Sequence, residues 1–226
     1  IAKKRGIFLF LRRNHTMDLI DISMVISTEM STYKGITARK PVIEVTSTIE
    51  HGSNESRLSI LSHTGTHVDA PFHMISQGNT IDLFPLEHFE GKALVIEIFN
   101  LEKIEAKHLL PFKTKILAAD FLLLKTDNSA RQLDPKKFVF LGESGARFLS
   151  ENILKGVGID SLGIERDQPQ HPTHRLLLEK AILIYEGLVL SHINPGFYWF
   201  SGYPLKIKSA DGSPIRAFLR IISDEK

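Results

Sequence analysis

Four side chains of metal-ligating type lie within positions 63–73: His63, His67, Asp69 and His73. Imidazole nitrogens and carboxylate oxygens bind Zn²⁺, Mn²⁺, iron or nickel, whereas softer metals prefer thiolates. His67 and Asp69 are two positions apart, so in an extended segment both side chains point to the same face. Ligands clustered in this way predict a metal site. The alternative that these residues leave open is a polar turn whose histidines have no shared role.

A glycine and a proline in the same stretch indicate how the other two histidines return to one point. Gly65 lies between His63 and His67 and can adopt backbone angles closed to other residues, which allows the chain to bend there. Pro71 has a fixed φ angle and stiffens the turn that precedes His73. We therefore expect a local segment that supplies several ligands to one site.

A further carboxylate, Glu186, lies in the otherwise apolar segment I-L-I-Y-E-G-L-V-L. Burying a carboxylate without a partner is costly, so Glu186 either reaches solvent or meets a cation, and a metal ion is a sufficient partner. The same reasoning applies to Asp69. Upstream of Glu186, His174 begins an apolar stretch with helical character, and His171 competes with it by residue type.

The composition is that of an ordinary globular protein and restricts the choice of partners. The 226 residues suit one domain with a large core, and we interpret 1–16 as an N-terminal extension and 17–226 as a single domain. A net charge of +2 without a dense basic stripe argues against nucleic acid as a partner. No apolar run approaches the roughly 20 residues of a membrane helix. The absence of cysteine fits a cytoplasmic location and leaves His, Asp and Glu as metal ligands.

Apolar patterning predicts strands that alternate with a few helices. Strands are predicted at 18–26, 42–49, 57–62, 93–99, 158–164 and 216–222, and within 116–125. Helices are predicted at 105–110 and at 142–155, where Ala146, Leu149 and Ile153 have helical spacing. The run at 93–99 is nearly continuous in apolar residues, which is typical of a strand buried on both faces. This alternation indicates an α/β fold.

The motif H-T-G-T-H-V-D-A-P-F-H at positions 63–73 resembles the signature of the cyclase-like metal-dependent hydrolases, the family of bacterial kynurenine formamidase and isatin hydrolase. The resemblance extends over positions 18–222. It implies a swivelling β/β/α fold with a mixed, partly barrel-like sheet and a few flanking helices. It also implies assembly as homodimers or homotetramers.

The resemblance also implies a role for each candidate residue. His174 and Glu186 are twelve positions apart, as in the part of the family pattern that completes a two-metal site. One ion would take His63, His67, Asp69 and Glu186, and the other would take Asp69, Glu186 and His174. His73 would remain off the metals as the catalytic proton donor and acceptor. Tyr33 matches an aromatic that lies against the substrate, although the P-G-D that commonly follows is replaced here by Lys34-Gly35. Zn²⁺ is the expected ion, with Mn²⁺ as the alternative.

The implied activity is hydrolysis of a small amide by metal-activated water, with an arylformamide such as N-formylkynurenine as the first candidate substrate. A second interpretation is hydrolytic opening of a cyclic amide, as in isatin hydrolase. A third is a protein that binds metal or ligand without turnover. Arg216, which begins the last predicted strand, is interpreted as a charge at a strand edge, with a carboxylate of a substrate or partner chain as the alternative.

Overall fold

The computed structural model describes residues 19–130 and 135–222, so the predicted extension at 1–16 lies outside the described residues. Within these ranges the chain forms thirteen strands: β1 Leu19–Asp21, β2 Val42–Ser47, β3 Glu55–Ser59, β4 His67–Asp69, β5 Glu90–Ile98, β6 Lys103–Ile104, β7 Phe121–Thr126, β8 Phe140–Leu141, β9 Gly156–Ile159, β10 Leu183–Glu186, β11 Gly196–Ser201, β12 Gly212–Pro214 and β13 Phe218–Ile221.

Five short α-helices and seven 3-10 turns connect the strands of the described segments. The helices are α1 Ala106–Leu109, α2 Lys113–Ile116, α3 Asp127–Ala130, α4 Glu143–Ser150 and α5 Pro172–Leu178. The 3-10 turns are Tyr33–Gly35, Thr37–Arg39, Ile49–His51, Pro71–His73, Ile81–Leu83, Leu86–Phe89 and Leu110–Phe112. No helix among the described residues combines the length and the apolar character needed to cross a membrane.

Nine strands form one mixed sheet in the order β1-β13-β11-β5-β7-β9-β10-β4-β12. The central strands β5, β7, β9 and β10 are parallel, and the outer strands pair antiparallel. The sheet curls into a half-barrel, which confirms the expected mixed, partly barrel-like architecture with few helices. The site described below lies on the β10-β4-β12 side of this sheet.

The two faces of the sheet pack against different elements. On one face, Leu122 and Leu124 of β7 pack into a core that includes Leu149 of α4 and Leu177 of α5. On the other face, Phe121 and Leu123 pack with residues of the outer strands. Because every residue of β7 is buried, its apolar run follows from burial on both faces.

Most predicted elements are present, with shifted boundaries. The strand predicted at 18–26 spans only β1 within the described residues, and the one predicted at 158–164 is displaced to β9. The helix predicted at 142–155 ends at Ser150, and Ile153, expected on its buried face, is 99% exposed. Its helical spacing was therefore misleading, because the helix ends before Ile153 can turn toward the core.

Two glycines bring the bend before β4 against the end of β10. Gly65 and Gly187 have φ angles of 65° and 66°, in the left-handed region that favours glycine. A Cβ atom on Gly187 would lie 2.5 Å from the carbonyl oxygen of Gly65. The Thr66 hydroxyl donates to the carbonyl of Gly187 at 2.5 Å and joins the same two segments. This close approach holds the two ligand-bearing strands together.

Candidate metal centre

Strand pairing places His67, Asp69 and Glu186 on one face of the sheet. His67 and Asp69 are alternate residues of β4, and β10 pairs antiparallel with β4 so that Glu186 lies opposite His67. The His67 Nε2 atom is 3.3 Å from Glu186 Oε2 and 3.4 Å from Asp69 Oδ1. All three residues are at most 5% exposed. Two carboxylates and an imidazole therefore share one buried volume.

The bend at Gly65 returns His63 to the same point. Its Nδ1 atom lies 2.7 Å from Asp69 Oδ1, and its ring makes an edge contact with His67 at 5.1 Å between centroids. On its far side, Nε2 of His63 lies 2.9 Å from Asp211 Oδ2. Asp211 arrives there because β12 pairs with the other edge of β4, with Gly212 opposite Asp69.

Helix α5 brings His174 to the opposite side of the two carboxylates. Its Nε2 atom is 3.5 Å from Glu186 Oε1 and 3.9 Å from Asp69 Oδ2. Its Nδ1 atom lies 2.6 Å from Glu165 Oε2, and the ring is buried. Asp69 and Glu186 thus each face His67 on one side and His174 on the other.

Each of the three histidines has one ring nitrogen held by a fixed acceptor. The acceptors are the Gly65 carbonyl for Nδ1 of His67 at 2.9 Å, Glu165 for Nδ1 of His174, and Asp211 for Nε2 of His63. The opposite nitrogen of each ring faces Asp69 or Glu186. Such hydrogen bonds fix the tautomer and the ring orientation of metal-binding histidines.

The donor set fits a divalent cation. His67 Nε2 and Asp69 Oδ2 are fully buried, and neither has a hydrogen-bond partner among the described residues. Buried polar atoms are rarely left without a hydrogen bond in this way, so these two atoms are suited to bind a cation. Ligand atoms of His67, Asp69 and Glu186 all lie within 4.8 Å of one another, as do those of His63, Asp69 and His73. Nitrogen and carboxylate oxygen donors at this spacing suit a divalent metal.

The metal-free cluster is strongly polarised. Burial opposes charge on the His67 and His174 rings, but the close contacts and charges of neighbouring carboxylates outweigh it and raise the pKa of each to about 10. Burial and the charge of Asp69 oppose ionisation of Glu186, but His174 and His67 lower its pKa to about 2. Burial likewise opposes ionisation of Asp69, whose pKa His63 and His67 hold well below its usual range. The cluster therefore consists of two carboxylates stabilised by positive charge, which a metal ion can supply.

His73 lies beside this cluster, at the end of the 3-10 turn Pro71–His73. Its ring is 4.0 Å from that of His63 and 5.9 Å from that of His174, between centroids. Its Nδ1 atom lies 3.4 Å from Asp211 Oδ2. Burial, the largest cause, lowers the pKa of His73, so the ring is neutral at neutral pH. A neutral imidazole in this position is able to accept a proton.

Tyr33 lines the cavity above the cluster, which has a volume of about 420 Å³. His73, His174 and Glu186 line the same cavity. The Tyr33 hydroxyl donates to the carbonyl of Glu165 at 3.4 Å, so the ring is tied to the segment that holds His174. An aromatic surface thus faces the open side of the candidate metal centre.

Two further candidates from the sequence lie away from the paired carboxylates. The His171 side chain is 55% exposed, and its Nδ1 atom is 3.8 Å from Glu165 Oε2. Arg216 donates to Asp21 at the sheet edge, and its side chain is 79% exposed. Arg216 itself precedes β13, which lies between β1 and β11, so the exposed charge predicted at a strand edge is present but pairs with the edge strand β1 from outside any strand.

Glu165 and Asp211 are site residues that the sequence did not indicate. Asp211 appears in the sequence only as half of an Asp-Gly turn, and Glu165 lies in a loop without a recognisable ligand pattern. Each accepts from a ring nitrogen of a candidate ligand, as described above. Finding them requires the register of β12 against β4 and the path of the chain between β9 and α5.

Comparisons with known proteins identify the family and the fold of the chain. The Cyclase family model, described as "Putative cyclase", matches residues 20–166. Kynurenine formamidase of Bacillus thuringiensis is 32% identical over 92% of this chain and 99% of its own. A solved structure named "The Structure Of Potential Metal-Dependent Hydrolase With Cyclase Activity" is 34% identical, with a TM-score of 0.81 over 89% of this chain and 96% of that one.

Isatin hydrolase A from Labrenzia aggregata shares the fold, with a TM-score of 0.80 over 91% of this chain and 94% of its own at 22% identity. The swivelling β/β/α fold inferred from the motif is therefore confirmed. The His, Asp and Glu cluster and the metal-dependent hydrolases among the similar structures indicate a divalent metal. The chain belongs to the cyclase family.

Proposed function

We propose that the chain is a metal-dependent amidohydrolase that cleaves an arylformamide, with N-formylkynurenine as the first candidate. The observation that carries the proposal is that His67 Nε2 and Asp69 Oδ2 are buried without a hydrogen-bond partner among the described residues, next to a cavity of about 420 Å³ that His67 and Glu186 line. Similarity to a kynurenine formamidase over 92% of the chain supports the choice of substrate.

Five residues would hold the metal: His63, His67, Asp69, His174 and Glu186. Asp69 faces all three of these histidines and Glu186 faces two of them, so both carboxylates would be shared if two ions were bound. Three imidazoles with carboxylates favour Zn²⁺, and Mn²⁺ is the alternative. A divalent ion bound here supplies a Lewis acid that polarises a carbonyl and lowers the pKa of water.

His73 would carry the proton in this reaction. Its neutral ring accepts a proton from the attacking water and donates it to the leaving amide nitrogen. Asp211 holds one ring nitrogen, which leaves Nε2 as the reactive atom. Tyr33 would provide an aromatic surface for the aryl group of the substrate.

The test is turnover of the metal-loaded protein on a panel of amides. We expect hydrolysis of N-formylkynurenine, measured as release of formate, that stops after metal removal and returns on adding Zn²⁺. Opening of isatin without formamide cleavage would favour the cyclic-amide alternative. Metal binding without turnover of either substrate would favour a binding protein.

We also propose that the chain assembles as a homodimer or homotetramer through the β2–β3 hairpin. Every residue of this hairpin is exposed or half-buried. Ile43, Val45 and Leu58 lie on one face of it and are 41%, 67% and 61% exposed, although such side chains normally avoid water. Sedimentation velocity of Val45→Asp should give a smaller species than the wild type. The control Ile153→Asp changes a side chain outside the hairpin that is even more exposed, at 99%, and equal sizes for both variants would refute the interface.

The division into an extension and a catalytic domain stays a prediction, as does the cytoplasmic location. We expect removal of residues 1–16 to leave metal content and turnover unchanged. A truncated protein that has lost either property would assign the extension to the catalytic unit.

A further inference from the structure

The cavity above the candidate metal centre has one strongly basic side chain at its rim. Arg39 ends the 3-10 turn Thr37–Arg39 and lines the cavity together with Tyr33. Among the described residues that line the cavity, it is the sole Lys or Arg, whereas Glu165, Glu186 and Asp211 are acidic. Apart from the histidines, Arg39 is therefore the one basic side chain among the described residues of the lining, and its guanidinium suggests a specific anionic partner.

Two cations adjacent in sequence to residues of the cavity lining, Lys34 and Arg166, already have carboxylate partners. Lys34 Nζ lies 3.2 Å from Asp167 Oδ1, and Arg166 forms an ion pair with Glu102. Arg39 has no carboxylate within 4.0 Å among residues 19–130 and 135–222. The guanidinium carbon of Arg39 lies 5.8 Å from the centroid of the Tyr33 ring.

Stacking on an aromatic face leaves the N–H edge of a guanidinium available. That planar edge matches the two oxygens of a carboxylate, and the resulting pair of charge-assisted hydrogen bonds is stronger than a bond between neutral groups. Tyr33 also lies near the cluster, because its hydroxyl donates to the main-chain carbonyl of Glu165, the residue whose carboxylate contacts His174. An aryl amide on Tyr33 would thus have its reacting end at the cluster and an acidic substituent near Arg39.

We propose that Arg39 binds a carboxylate on the substrate and selects aryl amides that carry a negative charge away from the scissile bond. This inference rests on the proposed amidohydrolase function and names the substrate class of the same site. It assigns Arg39 to specificity and leaves proton transfer to His73. The competing interpretation is an exposed arginine that only stacks on Tyr33.

The experiment compares N-formylkynurenine with its methyl ester, which keeps the formamide and the ring but lacks the negative charge. We expect the metal-loaded wild type to favour the acid in kcat/KM. Arg39→Gln, which retains a long polar side chain, should lower kcat/KM for the acid about tenfold or more and leave the ester within about twofold, as expected for the loss of a charge-assisted pair. Arg39→Lys should recover part of the preference, since it restores charge without the fork.

Lys34→Gln is the matched control. Lys34 also lies against the Tyr33 ring, with Nζ 5.5 Å from the centroid, but it is paired with Asp167 and does not line the cavity. Its removal should leave the acid-to-ester ratio unchanged. The proposal would be overturned if Arg39→Gln lost kcat/KM equally on acid and ester. It would also be overturned if Lys34→Gln changed the acid-to-ester ratio of kcat/KM as much as Arg39→Gln does.

A binding measurement separates this inference from the proposed reaction. Calorimetry with kynurenine and kynurenine methyl ester reports carboxylate recognition even where neither formamide is hydrolysed. If Arg39→Gln binds kynurenine more weakly but the methyl ester as well as the wild type does, Arg39 is a carboxylate site. That conclusion would hold even if no formamide were hydrolysed and the formamidase proposal failed. Kynurenine binding that is the same in wild type and Arg39→Gln would overturn the assignment of Arg39, whatever the turnover.

Discussion

Glu165 is the residue whose replacement tests most specifically how the candidate metal centre is held. Its carboxylate is 1% exposed and accepts four hydrogen bonds. Oε2 accepts from the His174 amide at 3.2 Å and lies 2.6 Å from His174 Nδ1, while Oε1 accepts from Gln168 at 2.8 Å and from the Thr173 amide at 3.3 Å. Each oxygen of Glu165 therefore accepts from two donors, so the hydrogen bonds on either side need an acceptor at both positions.

Glu165→Gln replaces one oxygen with an NH₂ group of similar size. If that group faces His174, two donors meet, because His174 Nδ1 carries a proton toward Glu165 in the wild type. The ring must then change tautomer and carry its proton on Nε2. Nε2 is the atom that faces Glu186, so the change removes the lone pair that a metal requires. If the NH₂ group faces the other way, it opposes Gln168 and the Thr173 amide. Either arrangement weakens the support of one ligand.

We expect Zn²⁺ affinity to fall about 10–100-fold, the usual effect of losing an outer partner of a metal-bound histidine, or about 1.4–2.8 kcal/mol. The assay is competition with a chromogenic chelator. Asp167→Asn is the control, because that neighbouring carboxylate is 69% exposed and pairs with Lys34 and Arg166, neither of which is a candidate metal ligand. A folded Glu165→Gln protein with wild-type affinity would show that Glu165 does not orient a ligand, and His174 would lose its assignment.

Three further outcomes test the catalytic, backbone and electrostatic parts of the account. His73→Asn should retain its metal and lose about 10²–10⁴-fold in kcat, and normal turnover would exclude it from proton transfer. In urea unfolding, Gly187→Ala should lower the free energy of unfolding by about 2 kcal/mol or more beyond the loss in Gly52→Ala. Both glycines have a positive φ, but only at Gly187 would the added Cβ meet other atoms. Equal losses in the two variants would contradict this. With pKa values raised to about 10, His67 and His174 should release protons when metal binds. The enthalpy of metal binding at neutral pH should therefore depend on the buffer that takes up the protons, and an enthalpy that is the same in all buffers would contradict this.

The sign of the last effect also fixes how stability depends on pH. The folded pKa values of about 10 lie above the usual value of 6.5, so protonation of His67 and His174 stabilises the metal-free fold fully below pH 6.5. That contribution is lost as the pH rises through about 10. Glu186, whose pKa is lowered to about 2, contributes above pH 4.5 and loses its contribution as the pH falls toward 2.

Local spacing was enough to indicate the half of the site that lies on β4. Alternation places His67 and Asp69 on one face, and the positive φ of Gly65 returns His63 to Asp69, as the sequence indicated. The cost of burying Glu186 without a partner also pointed to a cation, and the carboxylate lies among histidines. The roles of these residues as ligands remain predictions for experiment.

The remaining features depend on contacts between distant parts of the chain. Asp211 is 148 positions from His63 and meets it only because β12 pairs with β4 in one register. Glu165 falls just after the predicted strand 158–164, whereas β9 ends at Ile159 and the following loop turns the carboxylate toward α5. Ile153 shows the opposite failure, since a local pattern continued past the real end of α4.

The measurement that tests the central claim most directly is metal content per chain, by mass spectrometry of protein purified without chelator or affinity tag. Asp69→Asn, which keeps the shape of the side chain and removes its charge, is measured beside the wild type. The account predicts two equivalents of a divalent metal in the wild type and loss of metal in the variant. One equivalent in the wild type would remove the bridging arrangement. A wild type that binds no metal even when it is supplied, or a variant that retains the full amount, would contradict the assignment of these residues as a metal centre.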